Sequence, residues 1–266
     1  MKLDKFNKLI QNVEHSHWFK KGLFYGIITK NYYPYSNNDL YSKSNNIGQF
    51  TNNGFVFSCK EFAVEYNVAK IDHKKVNREN ISELLYSKRL LLNHISDRNR
   101  ITWRLLNLLA SRQQSFIQSC NSFKLVLQPY KTILKDLKMI YPNEYMDSSI
   151  ISRIVKEKNV ILMNGEMIQL NQLFPKASYC IGLRIRKVVF EHKNMWSDTD
   201  IQKALSEKYD INISTRYVAY CRNAMGIPSV RNRGKCTPNL GFALGDISRW
   251  IRGIFIPFQM KPGFTN

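Results

Sequence analysis

Ser214-Thr215-Arg216-Tyr217-Val218-Ala219-Tyr220-Cys221-Arg222-Asn223-Ala224-Met225-Gly226-Ile227-Pro228 marks both ends of one short helix in its own residue types. Ser214 supplies a hydroxyl at the N-cap, where its oxygen can accept a bond from an otherwise unpaired backbone N–H. Gly226 stands where a helix closes, and Pro228 forbids its continuation. Val218, Cys221 and Met225 recur at helical spacing as an inward face, leaving Thr215, Arg216, Ala219, Tyr220 and Asn223 on the outer one. Just upstream, Ser197 with Asp200 makes a capping box that opens a helix with Ile201, Ala204 and Leu205 inward, and residues 209–213 read as a turn. The arrangement is a helix-turn-helix. An exposed Arg in the first turn of its second helix is placed to present paired donors to guanine O6 and N7.

The flanking sequence is basic. Between 176 and 235, twelve Lys and Arg stand against five Asp and Glu. A second helix-turn-helix pattern lies upstream, with a helix near Tyr130–Ile140, a turn at Tyr141-Pro142-Asn143 and a helix near Ser148–Lys158. Ile150, Ile151, Ile154 and Val155 face inward there, and Ser149, Ser152, Arg153 and Lys156 lie opposite. Short hydroxyls with one Arg and one Lys suit phosphates and base edges, although a solvated helix face has the same composition. Asn164-Gly165 then reads as a tight turn between short apolar runs, a possible hairpin.

Before these modules, residues 97–123 form the longest helical stretch, free of Gly and Pro. Ile101, Leu105, Leu108, Leu109 and Phe116 occupy one side, with Trp103, Leu106, Ala110 and Ile117 nearer the other, so this helix must be covered on more than one side. Phe55-Val56-Phe57 reads as extended after the Asn52-Asn53-Gly54 turn, and Ser58 as the cap of a helix carrying Phe62, Ala63 and Tyr66. A helix from Leu3 to about Trp18 is expected, with Phe6, Leu9, Ile10 and Val13 on one face; the remainder up to Asn46 reads as loop. The predicted fold class is mainly α: tandem helical modules with two helix-turn-helix units, one extra-long helix and at most a short hairpin. The expected divisions are 1–92, 93–175, 176–235 and a tail, 236–266.

Composition narrows the partners. The 266 residues carry 40 Lys+Arg against 20 Asp+Glu, a net charge of +20, and 44% are hydrophobic. Such a chain is drawn to polyanions, duplex nucleic acid first and an anionic membrane surface as the competitor. No apolar run spans a bilayer, and Met1-Lys2-Leu3-Asp4-Lys5 is too polar for a secretory signal. The expected location is cytoplasmic, on the nucleoid, with no membrane partner and no small-molecule ligand. Five cysteines (Cys59, Cys120, Cys180, Cys221, Cys236), odd in number and without a CxxC, argue against a zinc ribbon and read as reduced, half-buried side chains. His15 and His17 lack further ligands at metal spacing, so two surface histidines are expected, with no metal and no cofactor. Asp97, Asp136, Glu144 and Asp147 are scattered, without a catalytic constellation, so no enzyme is expected.

The same residues resemble the sigma-54 (RpoN-type) sigma factors. Ser214-Thr215-Arg216-Tyr217-Val218-Ala219-Tyr220-Cys221-Arg222 is similar to the RpoN box, ARRTVAKYR, and Met195-Trp196-Ser197-Asp198-Thr199-Asp200-Ile201 to the opening of that module. Ser148-Ser149-Ile150-Ile151-Ser152-Arg153-Ile154 resembles ESTVSRV; Asn164-Gly165-Glu166 and Leu170-Asn171-Gln172-Leu173-Phe174 follow at the family's spacing. Arg98-Asn99 with Arg112-Gln113-Gln114-Ser115-Phe116 matches the extra-long helix, and Asn53-Gly54-Phe55-Val56 with Glu61-Phe62-Ala63 resembles the core-binding repeats. The likeness covers about residues 47–233.

The resemblance implies a subunit that binds core RNA polymerase (beta and beta-prime type subunits) and directs it to promoters with GG and GC elements. It implies polymerase contacts at Phe55, Glu61 and Phe62, and DNA contacts at Thr215, Arg216, Ala219, Tyr220, Arg222 and Asn223, with Arg216 on the GG element. Ser149, Ser152, Arg153 and Lys156 would act near the GC element. Thr215, Tyr217 and Tyr220 depart from the box, which implies weaker phosphate contacts or a shifted promoter. The core-binding part is reduced and the family's glutamine-rich amino-terminal region is absent, implying independence from an ATPase activator. The tail, with Trp250, Ile251, Ile254, Phe255, Ile256 and Phe258, reads equally as a docking segment or a packing tail. A helix-turn-helix repressor or architectural protein that never touches polymerase stays open beside this reading.

Overall fold

Ser16 divides the first amphipathic stretch. In the computed structural model, which describes residues 3–36, 45–69, 79–192 and 196–233, the single helix expected to Trp18 is two: α1 (Leu3–His15) and α2 (His17–Phe24). Ser16 is extended at φ −67°, ψ 145°, and its hydroxyl donates to the Val13 carbonyl at 2.5 Å, a local bond that competes with helix continuation. His15 and His17 are both exposed. The chain continues through β1 (Ile28–Tyr32), β2 (Asn46–Thr51), β3 (Gly54–Phe57), α3 (Lys60–Ala63) and β4 (Val64–Val68) into α4 (Glu79–Arg112).

Sheet content is the first correction. Mainly helical is right, but "at most a short hairpin" is not. β1 and β4 form an antiparallel pair, with Tyr32 opposite Val64. The helix expected to carry Tyr66 is only the four residues of α3, capped by Cys59 rather than Ser58. Val64 and Tyr66 alternate into the core as a strand instead. The Asn99 amide holds this change of direction, donating to the carbonyls of Glu61 (3.0 Å) and Val64 (2.8 Å), while the Tyr66 N–H donates to Ser96 Oγ at 2.8 Å.

α4 passes unbroken through residues 92 and 93, where a division was expected, because Leu92, Ile95, Ser96 and Asn99 bury against the first strands and helices. It ends earlier than residue 123. Gln113 leaves the helical path at φ −106°, ψ 17°, and α5 (Gln114–Ser119) follows, closed by Cys120 in the left-handed region. Gln113 is fully buried; its amide donates to the Val126 (2.7 Å) and Leu173 (3.0 Å) carbonyls and accepts from the Val126 N–H at 3.0 Å. These bonds satisfy a polar side chain whose burial would otherwise be costly, and they fix the break.

After a 3-10 turn at Ser122–Lys124 come α6 (Tyr130–Ile140) and α7 (Ser148–Val155), then β5 (Asn159–Ile161), β6 (Met167–Gln169) and a second 3-10 turn at Leu170–Leu173. β5 and β6 are the expected hairpin around Asn164-Gly165, with Val160 opposite Ile168. The hairpin joins a four-stranded sheet in the order β3-β2-β5-β6, with β2 and β5 parallel. That long-range parallel pairing carries no local sequence signal. Gly48 in β2 is needed for close approach: a Cβ there would lie 2.2 Å from the Val56 carbonyl oxygen.

The described residues up to 176 make one compact unit and those from 177 to 233 another. The second contains α8 (Ala177–Glu191), α9 (Asp198–Tyr209), α10 (Thr215–Ala224) and the single turn α11 (Val230–Arg233). Its core is Ile185, Val188, Val189, Ile201, Ala204, Leu205, Val218 and Cys221. Among the other cysteines, Cys59, Cys120 and Cys180 are half-buried thiols. Met195, His73, Cys236 and the whole 236–266 tail lie outside the described residues.

Candidate nucleic-acid interface

Both ends of α10 are fixed by its own sequence. The Ser214 hydroxyl accepts from the Tyr217 N–H at 3.3 Å, and Met225 and Gly226 close the helix, Gly226 at φ +69° where a Cβ would be strained. Val218, Cys221 and Met225 are buried as their spacing requires. The preceding α9 carries the full capping box: Asp200 N–H to Ser197 Oγ (3.2 Å) and Ser197 N–H to Asp200 Oδ2 (2.9 Å). The Ser197 hydroxyl, which donates to Asp200 Oδ2 at 2.6 Å, and the Ser197 N–H hold the Asp200 carboxyl below its ordinary range. The connection between α9 and α10 is fixed by Gln202, whose amide donates to the Ile213 carbonyl at 2.7 Å, and by Ser206, whose hydroxyl donates to Asn212 Oδ1 at 2.7 Å.

The outer face of α10 presents Thr215, Arg216, Tyr220 and Asn223 exposed and Ala219 half-buried. Arg222 is a correction. It is 4% exposed, inside the unit rather than on the outer face. Its guanidinium donates to Asp198 Oδ1 (2.8 Å) and Oδ2 (3.3 Å), to the Ile227 carbonyl (2.6 Å) and to Asn223 Oδ1 (2.9 Å). At three residues before Met225 and one after Cys221, Arg222 falls on the buried side of a 3.6-residue repeat. It is thus a brace between the start of α9 and the end of α10, and not free to meet a phosphate.

In the first unit α7 is capped by Asp147, its Oδ1 accepting from the Ile150 N–H at 2.9 Å. The hydrogen bonds from Ser149 and Ile150 hold the Asp147 carboxyl below its ordinary range. Ser149, Ser152, Arg153 and Lys156 are exposed, with Lys156 the C-cap and no longer helical. Arg153 folds back on its own helix, donating to the Ser149 carbonyl (3.2 Å) and hydroxyl (3.1 Å), so it must swing outward to reach any ligand.

Phe55 and Phe62, expected as partner contacts, are 2% and 5% exposed within the aromatic core, where Phe55 meets Phe57 edge-on and Phe62 stacks on Phe6. They shape the unit and offer no docking surface; Glu61 beside them is half-buried. The scattered acids also acquire roles. Glu65, Asp97 and Glu144 surround Arg100, Glu144 pairs with Arg104 as well, and Asp136 lies 2.6 Å from Arg112. Carboxylates are thus spent on α4 arginines, while Lys131, Lys135 and Lys138 of α6 stay exposed.

Sequence reading missed Lys158. Its Nζ donates to the Arg153 carbonyl at 3.2 Å and to the Ile154 carbonyl, capping the last turn of α7 from within. Only the apolar residues around it, Val155 and Val160, hinted at burial. Burial, with repulsion from Arg98, pushes its pKa down to about 7 from an ordinary 10.5. Arg98 is itself half-buried over the Phe6 ring, 3.4 Å from its centroid, and desolvation pushes it down to about 10. Between those two Lys158 values the unfolded chain binds more protons than the folded one, so stability rises with pH there and is lost as pH falls toward 7. Denaturant titrations should show the first unit gaining about 1 kcal/mol between pH 7 and 8 from this group. Lys158→Met should flatten that rise; an unchanged slope would refute the assignment.

Two end-capped helices, one in each unit, present the exposed polar and cationic faces of a helical nucleic-acid-binding protein. A family model described as "Sigma-54, DNA binding domain" matches residues 78–235, more than half of the chain, and the chain belongs to this family. It is a sigma-54-like DNA-binding transcription factor, in a family of transcription initiation factors that are not enzymes. No curated protein matched the chain. Among the described residues no helix is long and apolar enough to cross a membrane.

Proposed function

We propose that this protein is a promoter-specificity subunit that binds core RNA polymerase and reads GG- and GC-type elements through two helix-turn-helix modules. In the carboxy-terminal module α9 lies behind and α10 enters the major groove, with Arg216 on the GG element and Thr215, Ala219, Tyr220 and Asn223 beside it. In the other, α6 lies behind and Ser149, Ser152, Arg153 and Lys156 of the α7 region meet the downstream element. The observation that carries this reading is Arg216, exposed in the first turn of a helix fixed at both ends and backed by a packed core. Polymerase is the partner of the first unit, through surfaces other than Phe55 and Phe62.

The test is co-purification of the full chain with core polymerase, followed by footprinting on selected duplexes. Stable association and protection of two elements are expected. A footprint without polymerase association would favour the repressor reading, for which the capped modules alone suffice. Lys156→Ala should weaken binding to all duplexes alike and reduce the slope of log affinity against log salt by about one.

A further inference from the structure

Tyr220 is 60% exposed on the outer face of α10. A single exposed aromatic residue is unremarkable in itself. This one is braced: its ring stacks on Tyr217 with centroids 5.7 Å apart and planes 21° from parallel, and Tyr217 packs against the core of the unit. The ring is therefore pre-set, and little rotamer freedom is lost when it meets a ligand. Tyr220 lies four residues after Arg216, so the two are neighbours on one helix face, separated by roughly 6 Å along the axis. That rise spans about two base pairs of duplex.

We propose that Tyr220 reads a thymine methyl group, within about two base pairs of the guanine taken by Arg216. The inference rests on the placement of α10 in the major groove given under Proposed function. Thymine alone presents a methyl group in that groove, and a flat apolar surface is the side chain that selects it. A cation at this position would favour phosphate, without regard to sequence. The half-buried Ala219 next to it keeps the groove-facing surface shallow, so the ring can approach a base edge.

The full chain is first used to select duplexes from a random pool, and each thymine of the preferred sequence is then replaced singly by deoxyuridine, which removes only the methyl group. The wild-type protein should lose about fourfold in affinity at one thymine near the Arg216-dependent guanine. Tyr220→Ala should show no penalty there, and Tyr220→Phe should keep it; both should unfold at the wild-type temperature, because the side chain is exposed. The inference is overturned if no deoxyuridine weakens binding, if the penalty persists in Tyr220→Ala, or if it vanishes in Tyr220→Phe, which would make the hydroxyl the reader. A guanine preference that depends on Arg216 without any thymine penalty sinks this inference alone. Failure to select any duplex sequence sinks the groove placement of α10 and this inference with it.

Discussion

Arg216→Ala should lower affinity for the preferred duplex by roughly 5- to 150-fold, the worth of one good arginine–guanine pair. Affinity for unrelated duplexes should fall only by the share of one cation. The asymmetry follows from where the side chain sits. Arg216 is exposed at the start of α10, and among the described residues no carboxylate pairs with it. Its free guanidinium keeps its donors for a ligand, unlike Arg100 or Arg222, whose donors are taken. Arg216→Lys separates charge from geometry. A point charge preserves the phosphate attraction but loses the planar fork, so discrimination should fall nearly as far as in the alanine variant. Neither variant should move the unfolding temperature appreciably, since exposed substitutions of this kind stay within about 0.5 kcal/mol. Equal losses on preferred and unrelated duplexes would mean that Arg216 contacts phosphate and does not read a base.

Local signals in the sequence were read correctly and distant ones were not. The capping box at Ser197, the cap at Ser214, the stop at Gly226 and the bounds of α6 are determined by residues within a turn of each other, and they were legible. β5 and β6 were legible as a hairpin because Asn164-Gly165 makes the turn itself. β2 pairing with β5 was not, because the two strands are more than a hundred residues apart and nothing local specifies it. The break at Gln113 was invisible for the same reason: its causes are Val126 and Leu173. Within the interface the outer face of α10 was legible from periodicity. Arg222 was never on that periodic outer face and was named only through the resemblance to the box; the partner that draws it inward, Asp198, lies one helix back. Phe55 and Phe62 were misplaced because a motif likeness does not distinguish residues that shape a surface from residues that form it. Arg98, Asn99 and Gln113 illustrate the same distinction: they carry the resemblance, yet each is bonded or stacked within the first unit.

Asp198→Ala should destabilise the carboxy-terminal unit by about 3 kcal/mol or more, because it strips the partner from a buried guanidinium. Arg222 is 4% exposed and Asp198 29%, so the burden of desolvation falls on the arginine. Without Asp198 its remaining partners are the neutral oxygens of Ile227 and Asn223. Asp198 also stands in the first turn of α9, where a carboxylate is favourable to the helix dipole. A unit of this size should then unfold about 15 °C or more lower, read by calorimetry on the full chain. Arg222→Met should cost less, since it removes the buried charge and leaves Asp198 partly solvated. That pair of variants also decides what Arg222 does. If it is a brace, Arg222→Met, measured where it is folded, binds preferred and unrelated duplexes as the wild type does and keeps the wild-type salt dependence. A salt slope reduced by about one in a folded Arg222→Met protein would instead mean that the guanidinium leaves Asp198 on binding and neutralises a phosphate.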